Sequence, residues 1–339
     1  MKVTRREVLG GLAVLTTEFV VGCRTAVGTR AFSFTVINPE CLGGGAGLCV
    51  VLRTPSGKTY LFDTGNGTPE TVKNNGRDII APWLKSRGIT ALDGVVISHY
   101  HSDHFGGFLW LAKNFPIRRV FNNAYLPDLN GLSENNLKEY QAAREALDAY
   151  AAAHPGCLVE GLKFGDDLGW DEPGVSFDVV WPPTEGPVKP LENRIGFVPG
   201  DTIFHHLLNG NSNALRVTAF GTVFFIVGDI QPDYAAAYMK PYLEPKGLWG
   251  CDVAVLPSHG TNSDQALPLL LAMKPRPKVG IASLGNHPWM KDCAKTVKRI
   301  YANSGIAPYA TNLDGDLAFG ASAEVLCEQP PKLYPFDPK

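Results

Sequence analysis

The chain has 339 residues, of which 45% are hydrophobic and 19% are charged, and its formal net charge at pH 7 is −2. These values exclude an intrinsically disordered chain and a generally basic surface that would attract polyanions. A chain of this length and apolar content can bury a substantial core. The seven cysteines include no Cys-x-x-Cys pair, which argues against a zinc ion held by cysteines.

The first 30 residues have the pattern of an export signal. Residues 4–9 read TRREVL, which resembles a twin-arginine export motif. The apolar stretch that follows, residues 8–15, is too short to span a bilayer as a permanent helix. We therefore predict a signal over residues 1–30, one domain over residues 31–339, and a location on the periplasmic or extracellular side.

A lipid-attachment pattern lies inside the same segment. Residues 20–23 read VVGC, which resembles a lipobox whose Cys23 would carry a lipid and attach the protein to a membrane. Glu18 departs from the apolar composition that such signals have. An ordinary cleaved signal peptide, with Cys23 discarded, therefore remains the alternative.

From residue 31 onward, short apolar runs alternate with segments of helical character, a pattern typical of an α/β fold. The predicted strands are residues 31–38, 47–54, 59–63, 94–97, 118–123, 175–181, 213–220, 222–227, 252–256, 278–284, 308–312 and 317–326. The predicted helices are residues 77–87, 105–112, 133–154, 232–239 and 291–303. The proline- and glycine-rich residues 182–201 are predicted to form a loop that contacts substrate.

The densest group of metal-ligand side chains follows the strand at residues 94–97. Residues 95–107 read VVISHYHSDHFGG, which places three histidines and one aspartate within six positions. In an extended stretch, His99 and His101 point to the same side, whereas the adjacent Asp103 and His104 diverge. Imidazole and carboxylate are ligands that zinc prefers, so the motif predicts a metal site. The alternative is a polar loop whose histidines only cap a helix.

This His-x-His-x-Asp-His motif is the signature of the metallo-β-lactamase superfamily, and three further motifs resemble that family in the same order. They are LFDTG at residues 61–65, FFIVGD at residues 224–229 and VLPSHG at residues 255–260. The resemblance implies a four-layer αββα sandwich whose metal site lies at one edge between the two halves. It also implies a hydrolase domain over residues 31–339 with two divalent metal ions, zinc by preference and manganese or iron as alternatives.

The resemblance assigns the ligands residue by residue. His99 and His101 would hold the first metal, and Asp229 would bridge to the second, although a strand-end turn also accounts for an aspartate there. The second metal would be held by Asp103, His104 and His259. Asp63 is expected to orient a ligand histidine through a hydrogen bond.

The sequence departs from the family at the usual third histidine of the first metal. That region reads NGNSNAL at residues 209–215, so Asn211 or Asn213 would stand near the metal and hold it loosely. A loop shift that brings in His205 or His206 is the rival explanation. The asparagines resemble the ComEC-type metallo-hydrolase domain, as do the Asn-His-Pro at residues 286–288 and NLDG at residues 312–315. Where that branch usually shows a histidine, this chain has Ser258.

The resemblance implies an exported metal-dependent hydrolase that attacks with water, most readily a phosphodiesterase with a small-molecule or nucleic-acid substrate. A lactone or β-lactam hydrolase and a non-catalytic binding protein are the alternatives. Asp103 and His287 are the candidate catalytic residues; His287 would contact phosphate or protonate the leaving oxygen, unless it is an exposed loop histidine. No protein partner is evident.

The export prediction can be tested by replacing both Arg5 and Arg6 with lysine. We expect the precursor to remain inside the cell, because the twin-arginine pathway requires the arginine pair. Immunoblots of cell fractions measure the distribution, and mass spectrometry of the mature N-terminus decides whether Cys23 carries a lipid. Unchanged export of the double variant would contradict the prediction.

Overall fold

In a computed structural model, the chain folds into two mixed β-sheets packed face to face and covered by helices on their outer sides. The structure describes residues 31–38, 47–67, 73–126, 133–191, 201–321 and 326–328. The predicted export signal, with Cys23, lies outside these residues. In the described ranges, no helix is long and apolar enough to cross a membrane.

The first sheet has eight strands in the order β14-β13-β1-β2-β3-β4-β5-β6. Its strands are β1 (Phe32–Val36), β2 (Val50–Arg53), β3 (Thr59–Phe62), β4 (Gly94–Ile97), β5 (Val120–Asn122), β6 (Leu158–Val159), β13 (Leu317–Ala321) and β14 (Leu326–Glu328). Strands β3 to β6 run parallel, and the other neighbours are antiparallel. The carboxyl ends of β3 and β4 therefore meet at one edge of this sheet.

The second sheet has six strands in the order β12-β11-β10-β9-β8-β7. They are β7 (Val175–Trp181), β8 (Ala214–Ala219), β9 (Thr222–Ile226), β10 (Val253–Val255), β11 (Val279–Ala282) and β12 (Ala307–Ala310). Strands β9 to β12 run parallel, so the segments that follow β9 and β10 emerge on the same side.

The α-helices are α1 (Ala81–Ser86), α2 (Ser102–Phe105), α3 (Phe108–Asn114), α4 (Glu134–Ala153), α5 (Asp201–Gly210), α6 (Pro232–Tyr234), α7 (Lys240–Leu243), α8 (Ser263–Leu271), α9 (Pro288–Tyr301) and α10 (Thr311–Asp314). π-Helical turns, Gly76–Ile80 and Ala235–Met239, extend α1 and α6, and 3₁₀ turns span Glu244–Lys246 and Pro257–Gly260.

The core has three layers of apolar contact, one between the sheets and one beneath each set of helices. Between the sheets, aromatic rings stack across the interface: the centroids of Phe34 and Phe224 are 4.8 Å apart. Helices α1, α3, α4 and α5 cover the first sheet, whereas α8 and α9 cover the second. The predicted four-layer αββα sandwich is therefore confirmed.

Close backbone packing fixes the loop that carries the histidine motif. A Cβ atom on Gly107 would lie 2.0 Å from the carbonyl oxygen of Thr64, so only glycine fits there. The amide of Thr64 in turn donates to the carbonyl of His104, with 2.7 Å between N and O. The Asp-Thr-Gly motif and the histidine motif, on neighbouring strands, are thereby locked together.

Most predicted elements are present, and the differences that bear on the site are few. Helices α5 and α8 were not predicted, and α8 contains Pro268, which is disfavoured in helix interiors. The predicted strand over residues 308–312 ends at Ala310, where the short helix α10 begins. Part of the predicted loop over residues 182–201, namely residues 192–200, lies outside the described residues.

Candidate metal centre

The candidate ligands follow three strands, β4 of the first sheet and β9 and β10 of the second, and lie close together. His99 lies two residues after the end of β4. His101 has an extended backbone and immediately precedes α2. Asp103 and His104 lie within α2, so they belong to a first helical turn rather than to the irregular loop that the sequence predicted. Asp229 and His259 follow β9 and β10 of the second sheet. The centre thus lies at the edge where the two sheets meet.

Four of these side chains form what we call the first donor group, which holds the ligands assigned above to the second metal. They are Asp103, His104, Asp229 and His259. The Nε2 atom of His259 lies 3.1 Å from Nε2 of His104 and 3.2 Å from Oδ1 of Asp229. Its distance to Oδ2 of Asp103 is also 3.2 Å. Oδ1 of Asp229 is buried and has no hydrogen-bond partner, although Nε2 of His104 is 3.3 Å away. Buried polar atoms normally have a partner, so this arrangement fits a bound cation.

The second donor group consists of His99, His101 and Asp229, and its ligand atoms lie within 4.8 Å of one another. Nε2 of His99 and Nδ1 of His101 are 2.9 Å apart. Because Asp229 belongs to both groups, its carboxylate is placed to bridge two cations. The structure therefore brings together all six residues that the sequence assigned to two metals.

The protonation of the histidines differs between the two groups. Burial lowers the pKa of the His101 imidazole to about 4, aided by neighbouring His205, and burial also holds the pKa of His99 well below its usual value. Neutral imidazole is the form that binds metals. Burial alone would also lower the pKa of His259, but the Asp229 carboxylate raises it to about 9. A divalent cation at the first group would replace such protons.

Asp63 supports the first group through a buried hydrogen-bond network. Its Oδ2 lies 2.7 Å from Nδ1 of His104, which leaves Nε2 of that ring facing Asp229. The backbone amide of Ser98 donates to Oδ1 of Asp63 over 2.6 Å, and the Ser98 hydroxyl donates to Oδ2. Asp63 thus holds His104 in one ring orientation, as is usual for residues that support metal ligands.

Ser98 and Ser212 flank the other nitrogen of His99. Their Oγ atoms lie 2.9 and 3.1 Å from Nδ1 of His99, and Nε2 of that ring faces His101. Because the Ser98 hydroxyl already donates to Asp63, it is available to accept a proton from Nδ1 of His99. Sequence reasoning missed Ser212. Its position between two asparagines next to the predicted strand at residues 213–220 was the only available signal.

The structure places Asn211 and Asn213 differently from the sequence prediction. The Asn211 amide oxygen accepts from the backbone nitrogen of Val188, and its nitrogen donates to the carbonyl of Leu207. The Asn213 amide donates to the carbonyls of Leu162 and Trp181. These contacts tie buried backbone segments together, and neither asparagine is among the described residues that line the cavity.

His205 does reach the centre, but on the outer side of a ligand ring. Its Nδ1 lies 2.6 Å from Nε2 of His101, whereas the other nitrogen of His101 faces His99. On its far side, Nε2 of His205 is 3.0 Å from the amide nitrogen of Asn136 in α4. His205 is thus placed to orient His101, and His206 is not among the described residues that line the cavity.

The centre opens into a cavity of about 550 Å³. The described lining residues are Asn66, His101, Ser102, Asp103, Asn136, Glu139, His205, Asn209, Asp229, Gln231, Ser258, His259, Thr261, Asn262, Trp289 and Met290. His287 is absent from this set and is exposed, with its ring centroid 6.3 Å from that of Trp289. The structure does not bring the predicted catalytic His287 to the centre; Trp289, 48% exposed, occupies the rim instead.

The backbone is strained where it presents His259. Ser258 and His259 have φ values of 48° and 57°, in the left-handed region that non-glycine residues rarely adopt. Such conformations persist where surrounding contacts enforce them, and they cluster at functional sites. Here the Ser258 hydroxyl donates to the Asp229 carbonyl over 3.3 Å, so Ser258 connects the two ligand segments of the second sheet.

The role of Asp63 can be tested by the change Asp63→Asn. We expect divalent-metal affinity at the first group to fall about 10- to 100-fold, because His104 loses its charged partner. Chelator competition measures the affinity. Asp93→Asn is the matched control, since its carboxylate accepts a backbone hydrogen bond from Thr59 at the opposite end of β4. Equal affinities for the two variants would contradict the supporting role.

Comparisons with known proteins identify several related chains. The competence protein ComA of Neisseria gonorrhoeae is 26% identical over 292 residues, which is 86% of this chain and 33% of that protein. ComE operon protein 3 of Bacillus subtilis is 22% identical, over 64% of this chain and 24% of that protein. The chain therefore spans about a third or less of these relatives.

Among solved structures, the chain is similar to Tm1679, a metal-dependent hydrolase of the β-lactamase superfamily, with 15% identity and a TM-score of 0.48. That likeness covers 86% of this chain and 99% of Tm1679. The family model of the metallo-β-lactamase superfamily matches residues 42–279, which include every candidate ligand from His99 to His259. The chain belongs to the metallo-β-lactamase superfamily.

Proposed function

We propose that the protein hydrolyses phosphodiester bonds with two divalent metal ions held by the two donor groups. The observation that carries the proposal is the shared carboxylate of Asp229, which places the groups side by side at the floor of one open cavity. When bound, a metal pair of this kind activates an attacking water and stabilises the charge that develops on the substrate.

The residues of the chain would have distinct tasks. His99, His101, His104 and His259 supply neutral imidazole nitrogens, and Asp229 supplies the carboxylate common to both groups. Asp103 is the ligand residue best placed for proton transfer, because its side chain is 26% exposed and lines the cavity. Its carboxylate can accept a proton from a water molecule that enters from solvent.

The charges around the cavity favour a diester substrate. The described lining residues include no lysine or arginine but three carboxylates: Asp103, Glu139 and Asp229. Two divalent ions bring four positive charges, which the three lining carboxylates and the buried Asp63 behind His104 would together neutralise when all are ionised. A phosphodiester carries one negative charge, so it adds less charge to such a centre than a monoester or a polyphosphate does. For a phosphomonoester or a polyphosphate, the described cavity wall offers none of the lysine or arginine side chains that usually bind the additional phosphate charge.

The family branch supports the same substrate class. The asparagine-rich segment before Asp229 and the two later motifs resemble ComEC-type domains, and one relative is named a competence protein. The chain covers only 33% of ComA, so the activity of that whole protein is not transferred. A nucleic-acid substrate and a small diester both fit the cavity chemistry.

The proposal is tested with metal-free protein resupplied with Zn²⁺ or Mn²⁺. We expect hydrolysis of bis-p-nitrophenyl phosphate and of a single-stranded oligonucleotide, and little or no hydrolysis of a lactone. The change Asp103→Ala should lower kcat/KM by at least about 100-fold, since it removes a ligand and a proton acceptor. Asp292→Ala is the control, because that residue forms an exposed ion pair with Lys295 on α9.

Two results would contradict the proposal. Preferential hydrolysis of the lactone would assign the protein to acyl transfer instead. Unchanged turnover by the Asp103→Ala variant, after chelation and remetallation, would show that the donor groups are not the active site.

A further inference from the structure

The two donor groups contain different numbers of potential ligand residues. The first group contains four potential ligand residues, whereas the second contains three, His99, His101 and Asp229. Protein sites for zinc generally have four ligands. One position at the second group is therefore open to a further side chain or to solvent.

Asn209 lines the cavity and is connected to two residues that contact the ligands of the second group. It lies four residues after His205 on α5, so the two side chains share one helix face. His205 contacts the ring of His101. The Asn209 carbonyl accepts from the backbone nitrogen of Ser212 over 3.1 Å, and the Ser212 hydroxyl contacts His99. Asn209 is thus linked, by helix position and by a backbone hydrogen bond, to the two residues that contact the imidazole ligands.

The amide oxygen of Asn209 is buried without a hydrogen-bond partner. The residue is only 7% exposed, and it lines the cavity together with His101 and Asp229. A buried carbonyl oxygen that lacks a partner is costly, and in native proteins such an atom usually contacts a water or an ion. The absence of a protein partner for this oxygen therefore indicates that it contacts a ligand bound in the cavity.

The neighbouring asparagines do not offer the same donor. Both amide atoms of Asn211 are engaged by backbone groups. Asn213 also has a buried oxygen without a partner, but its amide nitrogen is fixed to the carbonyls of Leu162 and Trp181. Asn213 is also not among the described residues that line the cavity. Of the three, Asn209 alone combines an unpaired amide oxygen with a place in the cavity wall.

We propose that the amide oxygen of Asn209 completes the donor set of His99, His101 and Asp229. This inference rests on the proposed two-metal function and assigns the last ligand of its second group. An amide oxygen is neutral and a weaker donor to zinc than imidazole. The metal at this group is consequently the exchangeable one, and the metal at the first group is retained.

The test is a metal titration of the full chain, in which Zn²⁺ competes with a chromophoric chelator. The change Asn209→Ala should weaken the lower-affinity site at least about tenfold and leave the higher-affinity site unchanged. Asn209→Asp should strengthen the lower-affinity site, because a carboxylate replaces the amide oxygen. The absorption of bound Co²⁺ should change in both variants, since its ligand changes.

Asn262→Ala is the matched control, because Asn262 is an asparagine that lines the same cavity from the second sheet. Its two zinc affinities should equal those of the wild type. A lower-affinity site unchanged in Asn209→Ala would overturn the proposal, and so would equal weakening of both sites or weaker binding by Asn209→Asp. A raised KM with unchanged zinc affinities would overturn it too, by assigning Asn209 to substrate.

The titration separates this proposal from the proposed function. Two zinc sites with the predicted response to Asn209 changes, in a protein that does not cleave phosphodiesters, would support the ligand and reject the substrate class. A wild-type chain that binds fewer than two zinc ions would overturn both.

Discussion

The structure depends on how the buried ring of His104 joins the two sheets. One nitrogen contacts Asp63, which follows β3 of the first sheet, and the other faces Asp229 and His259, which follow β9 and β10 of the second. His104 and Asp63 are fully buried, so the Asp63 carboxylate is stabilised only by its contacts with His104 and Ser98. A bound cation would balance the remaining carboxylates, and this requirement couples the metal centre to the packing of the fold.

The fold supplies this coupling through backbone contacts as well as side chains. Gly107 lets the histidine segment approach Thr64 closely. The backbone N–H of Asn213, next to the second sheet, donates to the backbone carbonyl of Ser98, next to the first. On the opposite wall, Ser258 and His259 adopt left-handed conformations that would cost about 1–3 kcal/mol each without compensation. The surrounding contacts enforce them, which presents the His259 ring to Asp229.

The sequence was sufficient for the parts of the site that depend on local pattern. A short apolar strand followed by His-x-His-x-Asp-His predicted the positions of His99 to His104, and the strand-ending motifs located Asp229 and His259. These residues converge because the carboxyl end of β4 in the first sheet and those of β9 and β10 in the second emerge at the same edge of the two packed sheets. The predicted start of a helix at residue 133 also agrees with the structure, in which the Ser133 hydroxyl caps α4 by accepting from the backbone amide of Asn136.

The remaining features depend on tertiary contacts that no local pattern contains. Whether His205 binds a metal or orients His101 is decided by the docking of α5, a helix that the sequence pattern did not reveal. Likewise, Asn209, Asn211 and Asn213 look alike in sequence but differ in the partners of their amides. Trp289, and not His287, lies at the cavity rim because α9 begins at Pro288, between these two residues.

Anomalous diffraction from crystals grown with Zn²⁺, recorded at the zinc absorption edge, tests the central claim most directly. Two donor groups that share one carboxylate predict two anomalous peaks on either side of Asp229, the peak near His104 and His259 having the higher occupancy. A single peak, or peaks that do not contact Asp229, would contradict the account.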